Sequence, residues 1–260
     1  MTASLLEVFS SVQGEGLLVG ERQVFLRFAG CNLRCAYCDT PAAIADPLFC
    51  RAERTAGHQD FEEIPNPLSP GQVADLVRRL ARPQPGLHHS VSLTGGEPLL
   101  HVASLRELLP LLGDLGLPAY LETNGTLADE LAQVLDHLDF VSADIKLPSS
   151  TRQAPLWSHH ERFLLTLAAH EACPVRDPTR LDFVKIVVTD DCTNEEIARA
   201  ARMIAGINPE IPLVLQPVTP VRPDISPPSP QHLLFLQASA KHHLPHVRII
   251  PQMHKQMGCL

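Results

Sequence analysis

The chain has 260 residues, 45% of them hydrophobic, enough for one sizeable core, and its 21 Lys and Arg against 29 Asp and Glu give a formal net charge of −8. That balance excludes a duplex-binding surface, which needs clustered Lys and Arg to neutralise phosphates, and leaves a small molecule or another protein as partner. Residues 1–7 lack the basic and apolar regions of a signal peptide, and no run of about 18 apolar residues occurs, so a cytoplasmic protein without membrane contact is expected.

In chain order, the apolar run at 24–29 predicts a strand that ends in a cysteine-rich loop. Residues 41–69 are polar, proline-bearing and without sustained periodicity, which predicts an irregular insertion after that loop. Strands are then predicted at 91–93, 119–121, 140–142, 183–188 and 213–215. Helical patterns alternate with them at 70–80, 103–115, 128–138, 161–170, 194–205 and 230–243. Ser69 before Pro70 and Thr193 before Asn194-Glu195-Glu196 are N-terminal caps. Alternating βα units imply an α/β fold, a partial (β/α) barrel of about six parallel strands in one domain spanning 1–260.

Chemistry in such a fold collects at the carboxyl ends of the strands. Reading those ends in turn gives the cysteine loop, then Thr94-Gly95-Gly96-Glu97-Pro98, Glu122-Thr123-Asn124-Gly125-Thr126, Ser142-Ala143-Asp144-Ile145-Lys146, Thr189-Asp190-Asp191 and Gln216-Pro217-Val218-Thr219-Pro220. Taken singly, a Gly pair or an Asn-Gly step is an ordinary turn, and Asp144 with Lys146 is an ordinary surface ion pair. Their shared rim is what gives them weight.

The cysteine loop reads Cys31-Asn32-Leu33-Arg34-Cys35-Ala36-Tyr37-Cys38. Three thiols without a fourth nearby can hold a [4Fe–4S] cluster and leave one iron open, whereas structural metal sites are closed. A zinc module would need a fourth ligand, for which Asp39 or His58 is poorly spaced. Seven cysteines, three of them crowded together, fit a disulfide framework badly, so Cys50, Cys173, Cys192 and Cys259 are expected as free thiols. His88, His89, His159, His160, His242 and His243 read as solvated.

The CxxxCxxC loop with Tyr37 before its last cysteine, followed by Gly95-Gly96-Glu97-Pro98, resembles the radical S-adenosylmethionine (SAM) superfamily. Residues 7–16, 25–35 and 38–40, Glu122-Thr123-Asn124-Gly125-Thr126 and the tail Pro251-Gln252-Met253-His254-Lys255 are similar to the 7-carboxy-7-deazaguanine synthase family, a likeness that spans nearly the whole chain. It implies conversion of 6-carboxy-5,6,7,8-tetrahydropterin to 7-carboxy-7-deazaguanine with loss of ammonia, on the route to queuosine. It also implies a barrel abridged in helices, a [4Fe–4S] cluster, SAM and Mg²⁺ as cofactors, a flavodoxin- or ferredoxin-type electron donor, and a homodimer.

By the same resemblance the cluster ligands are Cys31, Cys35 and Cys38, and Thr40 binds Mg²⁺. SAM contacts fall to Tyr37, Cys38, Asp39, Gly96, Glu97, Glu122, Asn124, Ser142, Ala143, Asp144, Lys146, Gln216, Pro217, Val218 and Thr219. Substrate contacts fall to Val12, Gln13, Gly14, Glu15, Arg27, Thr94, His254 and the carboxylate of Leu260. Chemically, Gln13 suits ring amides, Glu15 suits ring N–H groups, and Arg27 suits a bidentate bond to a carboxylate. Competing functions are a radical SAM activase that acts on a partner protein and a non-catalytic metal module. The segment Gln13-Gly14-Glu15-Gly16 with Arg27 favours a polar small molecule over the first.

Overall fold

The computed structural model describes residues 1–41, 45–171 and 181–259. Its strands are β1 (Leu5–Val12), β2 (Arg22–Phe28), β3 (Phe49–Glu53), β4 (Phe61–Pro65), β5 (Ser90–Gly95), β6 (Ala119–Thr123), β7 (Phe140–Asp144), β8 (Leu181–Val188), β9 (Leu213–Pro217) and β10 (Val247–Ile249). They form one sheet in the order β10-β9-β8-β7-β6-β5-β2-β1-β3-β4. The helices are α1 (Pro70–Ala81), α2 (Val102–Gly113), α3 (Ala128–Ala132), α4 (Pro148–Thr151), α5 (Trp157–Glu171), α6 (Asn194–Ile207), α7 (Pro230–Lys241) and α8 (Met253–Met257).

The six strands expected from the apolar runs are β2 and β5 to β9, adjacent and mutually parallel. Ser69 and Thr193 cap α1 and α6 as expected, each inside a capping box with Gln72 and Glu196. The helix expected over 128–138 stops at Ala132. A 3₁₀ turn follows at Leu135–His137, and this break buries Val134, Leu135 and Leu138 together.

Residues 41–69 are not irregular throughout. They contain the antiparallel pair β3 and β4, and β3 extends the sheet beyond β1. The alternation in β3 is carried by Cys50 and Ala52, which are buried while Phe49 and Arg51 are exposed; such small inward residues hide a period-two signal. Strand β1 lies antiparallel to β2, and β10 has only three residues. Cys50 and Cys192 are buried, Cys259 is half-buried, and all three are free. Cys173 lies outside the described residues. His88 and His160 are buried, contrary to expectation, whereas His159 and His242 are exposed. His88 hydrogen-bonds Ser10 at 2.7 Å, beneath Arg22.

Alternation sorts each parallel strand into two faces. On β8, Val184, Ile186 and Val188 join the large apolar layer under the helices. Phe183, Lys185 and Val187 take the other face. There Phe183 packs with Leu18, Tyr120 and Val214, while Leu17, Phe140 and Ile250 lie against them. The sheet therefore curls around the segment after β1: Gln13 bonds to β2 and β6, and Glu15 bonds to β8. A partial barrel results, with residues 13–18 forming its floor.

Gly95 ends β5 at φ +124°, and a Cβ there would collide with the backbone of Phe28 on β2. Gly95→Ala should cost at least about 2 kcal/mol in a urea unfolding titration. An unchanged midpoint would show that the two strand ends can part.

Candidate active site

The rim loops and the floor enclose a cavity of about 470 Å³, within the usual range for small-molecule sites. Cys31, Cys35 and Cys38 line it, together with Gly95, Gly96, Asn124, Asp144, Lys146, Gln216, Val218 and Thr219 from the strand ends. Gln13, Gly14 and Glu15 face it from the floor, and His254 closes it from the tail, where the Met253 N–H donates to the Gly14 carbonyl at 2.8 Å.

The parallel register explains which charges meet. Asp144 is the Cα partner of Lys185, so the two side chains share the inner face, with Nζ and Oδ1 3.7 Å apart. Lys146 approaches the other oxygen of Asp144 at 2.5 Å and lies 5.4 Å over the Tyr37 ring. Burial works against a charged Lys146, but Asp144 together with Tyr37 and Cys35 outweighs it and the ammonium persists. Lys185 also pairs with Oε2 of Glu15, while Gln252 donates to Oε1 at 2.6 Å. Burial alone would raise Glu15; Lys185 and the amides of Gln252 and Gln216 reverse that and hold its carboxyl low. Glu122 goes the other way: burial raises it against the pull of Lys185, and Glu15 adds to the rise. Two neighbouring carboxylates are thus driven to opposite protonation tendencies.

Two residues brace the rim from behind. Glu97 is fully buried, and its carboxylate accepts from the Leu99 N–H at 3.1 Å, the Thr123 hydroxyl at 2.8 Å and the Asn124 N–H at 2.7 Å. Burial pushes it up to about 7 despite these donors. His160 on α5 donates from Nδ1 to the Gly125 carbonyl at 3.0 Å and accepts at Nε2 from the Lys146 N–H at 3.1 Å. Because a carbonyl only accepts and an amide N–H only donates, these bonds fix one neutral tautomer.

The three cysteines are half-buried, and burial pushes the thiols of Cys31 and Cys35 up, so iron must displace their protons on binding. A single zinc ion would hold three thiolates roughly 3.8 Å apart, given bonds of ~2.3 Å and tetrahedral angles. These sulfurs do not gather within 4.8 Å of one another, as the ligand atoms of Glu15, Asp39 and His254 do. The wider spacing and the open cavity suit a cluster with one iron facing a ligand. His58 is exposed in the β3–β4 turn and does not line the cavity.

A family model for the radical SAM superfamily matches residues 26–174. A 7-carboxy-7-deazaguanine synthase of Geobacter sulfurreducens is 49% identical over 259 residues, covering 99% of this chain and 98% of its own length. The chain belongs to the 7-carboxy-7-deazaguanine synthase family. The family's member from Archaeoglobus fulgidus is 36% identical, with 99% of both chains covered. The crystal structure of QueE from Escherichia coli shares the fold, with a TM-score of 0.60 at 20% identity over 98% of this chain and 95% of that one.

Within this synthase-family architecture, most residues expected at the site do line the cavity: Val12, Gln13, Gly14, Glu15, Arg27, Tyr37, Asp39, Thr40, Thr94, Gly96, Glu122, Asn124, Asp144, Lys146, Gln216, Val218, Thr219 and His254 with the three cysteines. Four do not. Glu97 is turned inward as described, Ala143 packs in the outer apolar layer, Ser142 is buried beside the Tyr120 hydroxyl, and Pro217 ends β9 away from the lining. Leu260 lies outside the described residues. Asp144 and Lys146 pair, but inside the rim and not on the surface. Gln13 is fully engaged: its amide donates to Gln23 and Glu122, both at 3.1 Å, and its oxygen accepts from the Glu15 N–H at 2.9 Å. Arg27 gives Nε to Glu7 at 3.2 Å and points Nη1 toward Thr40.

Lys185 and Gln252 were missed from sequence. A lysine inside the apolar run of a strand buried on both faces is itself a signal, because lysine is rarely buried without a partner.

Anaerobic reconstitution should load about four irons per chain; uptake of zinc with no iron would contradict the assignment. Cys35→Ala should lose the cluster while its far-ultraviolet circular dichroism stays unchanged.

Burial pulls the His160 ring down to about 4 from 6.5. Its neutrality therefore contributes stability that is complete above pH 6.5 and drains away as pH falls toward 4. Nitrogen-15 NMR should show the His160 ring neutral and protonated on Nδ1 at pH 5.5; a ring titrating near 6.5 would refute the bridge.

Proposed function

We propose that the chain is a 7-carboxy-7-deazaguanine synthase, a radical SAM lyase converting 6-carboxy-5,6,7,8-tetrahydropterin to 7-carboxy-7-deazaguanine with release of ammonia. The observation that carries this is one cavity that three cluster-type thiols share with ionised Glu15 of the floor, Arg27 of β2 and His254 of the tail. The family membership supplies the reaction.

When bound, the [4Fe–4S] cluster and SAM supply the radical chemistry that no side chain can generate. Cys31, Cys35 and Cys38 would hold the cluster, leaving one iron for SAM. Gly95 and Gly96 leave backbone open to a ligand, and Asn124, Asp144, Lys146 and Gln216 offer polar groups for its aminoacyl end and ribose. On the substrate side Glu15 is an acceptor for ring N–H groups, Thr94 adds a hydroxyl, and the free edge of Arg27 meets the carboxylate. The floor and tail exclude water from the reacting carbon. Thr40 beside Asp39 offers the hard oxygen donors Mg²⁺ prefers alongside substrate oxygens. The same reading includes a flavodoxin- or ferredoxin-type electron donor, a cytoplasmic location and a homodimer, all by family likeness; no helix among the described residues is long and apolar enough to cross a membrane.

Reduced, reconstituted protein given SAM, Mg²⁺ and the carboxypterin should form the deazaguanine acid, identified by mass, and absence of product would refute the activity. Arg27→Ala should raise the KM for the carboxypterin about ten-fold while changing kcat less. An unchanged KM would rule out the guanidinium contact.

A further inference from the structure

Lys185 is placed where the two halves of the site meet. It stands midway along β8, on the inner face between Phe183 and Val187, and its side chain is 9% exposed. Its ammonium pairs with Oε2 of Glu15 on the floor and lies 3.7 Å from Oδ1 of Asp144 on the neighbouring strand. Asp144 has a nearer cation in Lys146, at 2.5 Å. Among the described residues no other cation pairs with Glu15, and its remaining oxygen takes the neutral amide of Gln252.

We propose that Lys185 is the positioning residue for substrate recognition: it fixes Glu15 as an aimed acceptor for the N–H edge of an aminopyrimidinone ring. The proposal rests on the synthase reading. Glu15 enters the lumen on a turn, not on a strand, so no backbone ladder sets its side-chain direction. The ion pair to β8 and the amide of Gln252 do so instead. Without the ammonium, the carboxylate would face Glu122 and Asp144 uncompensated and would turn away from them, out of line with the ring. An acceptor turned out of line no longer meets the donors that the ring presents. Because Lys146 still neutralises Asp144, the cofactor side should be little affected.

The test uses reconstituted holoenzyme and four proteins: wild type, Lys185→Met, Glu15→Gln and the double variant. Lys185→Met should raise the KM for the carboxypterin roughly ten-fold to a hundred-fold. Reductive SAM cleavage without the pterin should stay within about two-fold of wild type. In the Glu15→Gln background the same Lys185→Met change should add less than about two-fold, because no carboxylate is left to aim. Additive losses, or a wild-type KM in Lys185→Met, overturn the proposal. If Lys185→Met alone does not fold, recovery of iron loading in the double variant supports the pairing, and failure of both shows a role independent of Glu15 and overturns it. Wild type that forms no deazaguanine product refutes the synthase reading. Product formation by wild type with an unmoved KM in Lys185→Met refutes only the role of Lys185.

Discussion

Parallel pairing is the constraint on which this molecule depends. From β2 through β5 to β10 the strands run the same way, so residues in register share a face and the carboxyl ends arrive together. Arg27 is thereby set beside Thr94, Glu122 beside Ser142, and Asp144 beside Lys185. An inner face so rich in polar groups is costly unless each finds a partner. The partners come laterally: Ser92 donates to Glu122 at 2.8 Å, Gln13 to Gln23, and Gln23 to Ser90 at 2.8 Å. Apolar packing is left to the helix-covered face and to the floor.

The site divides between two sources. The rim supplies the three thiols and polar groups from the ends of β5, β6, β7 and β9. The rest of the lining comes mainly from elsewhere: the turn after β1, Arg27 on β2, and the tail around His254. The Gly95-Gly96-Glu97 segment shows the same division on a smaller scale. Its glycines open backbone to the cavity, while the glutamate faces away and holds Thr123 and Asn124 in place.

Much of this was legible in the amino-acid sequence, and the exceptions have physical causes. Buried parallel strands write long apolar runs, so β2 and β5 to β9 were visible. The strands beyond β1 do not: β3 hides its alternation behind the small inward residues Cys50 and Ala52, and β4, at the edge, has no fully buried residue. Motif residues were legible by position but not by direction: Glu97 and Ala143 sit at the expected strand ends, yet their side chains leave the cavity. Spacing also says nothing of contacts made at long range. Glu15 meets Lys185 and Gln252 across most of the chain, and His160 joins two loops from a helix that follows both.

The cavity is closed where the turn after β1 meets the tail, through Gly14 with Met253 and Glu15 with Gln252. During synthesis these partners are separated by nearly the whole of translation. A nascent chain that has not yet emerged past residue 250 can lay down the parallel ladder and present all three thiols, but one wall of its cavity is missing. Cluster loading can thus precede release from the ribosome, whereas a chamber able to confine a radical forms only once the tail has folded back.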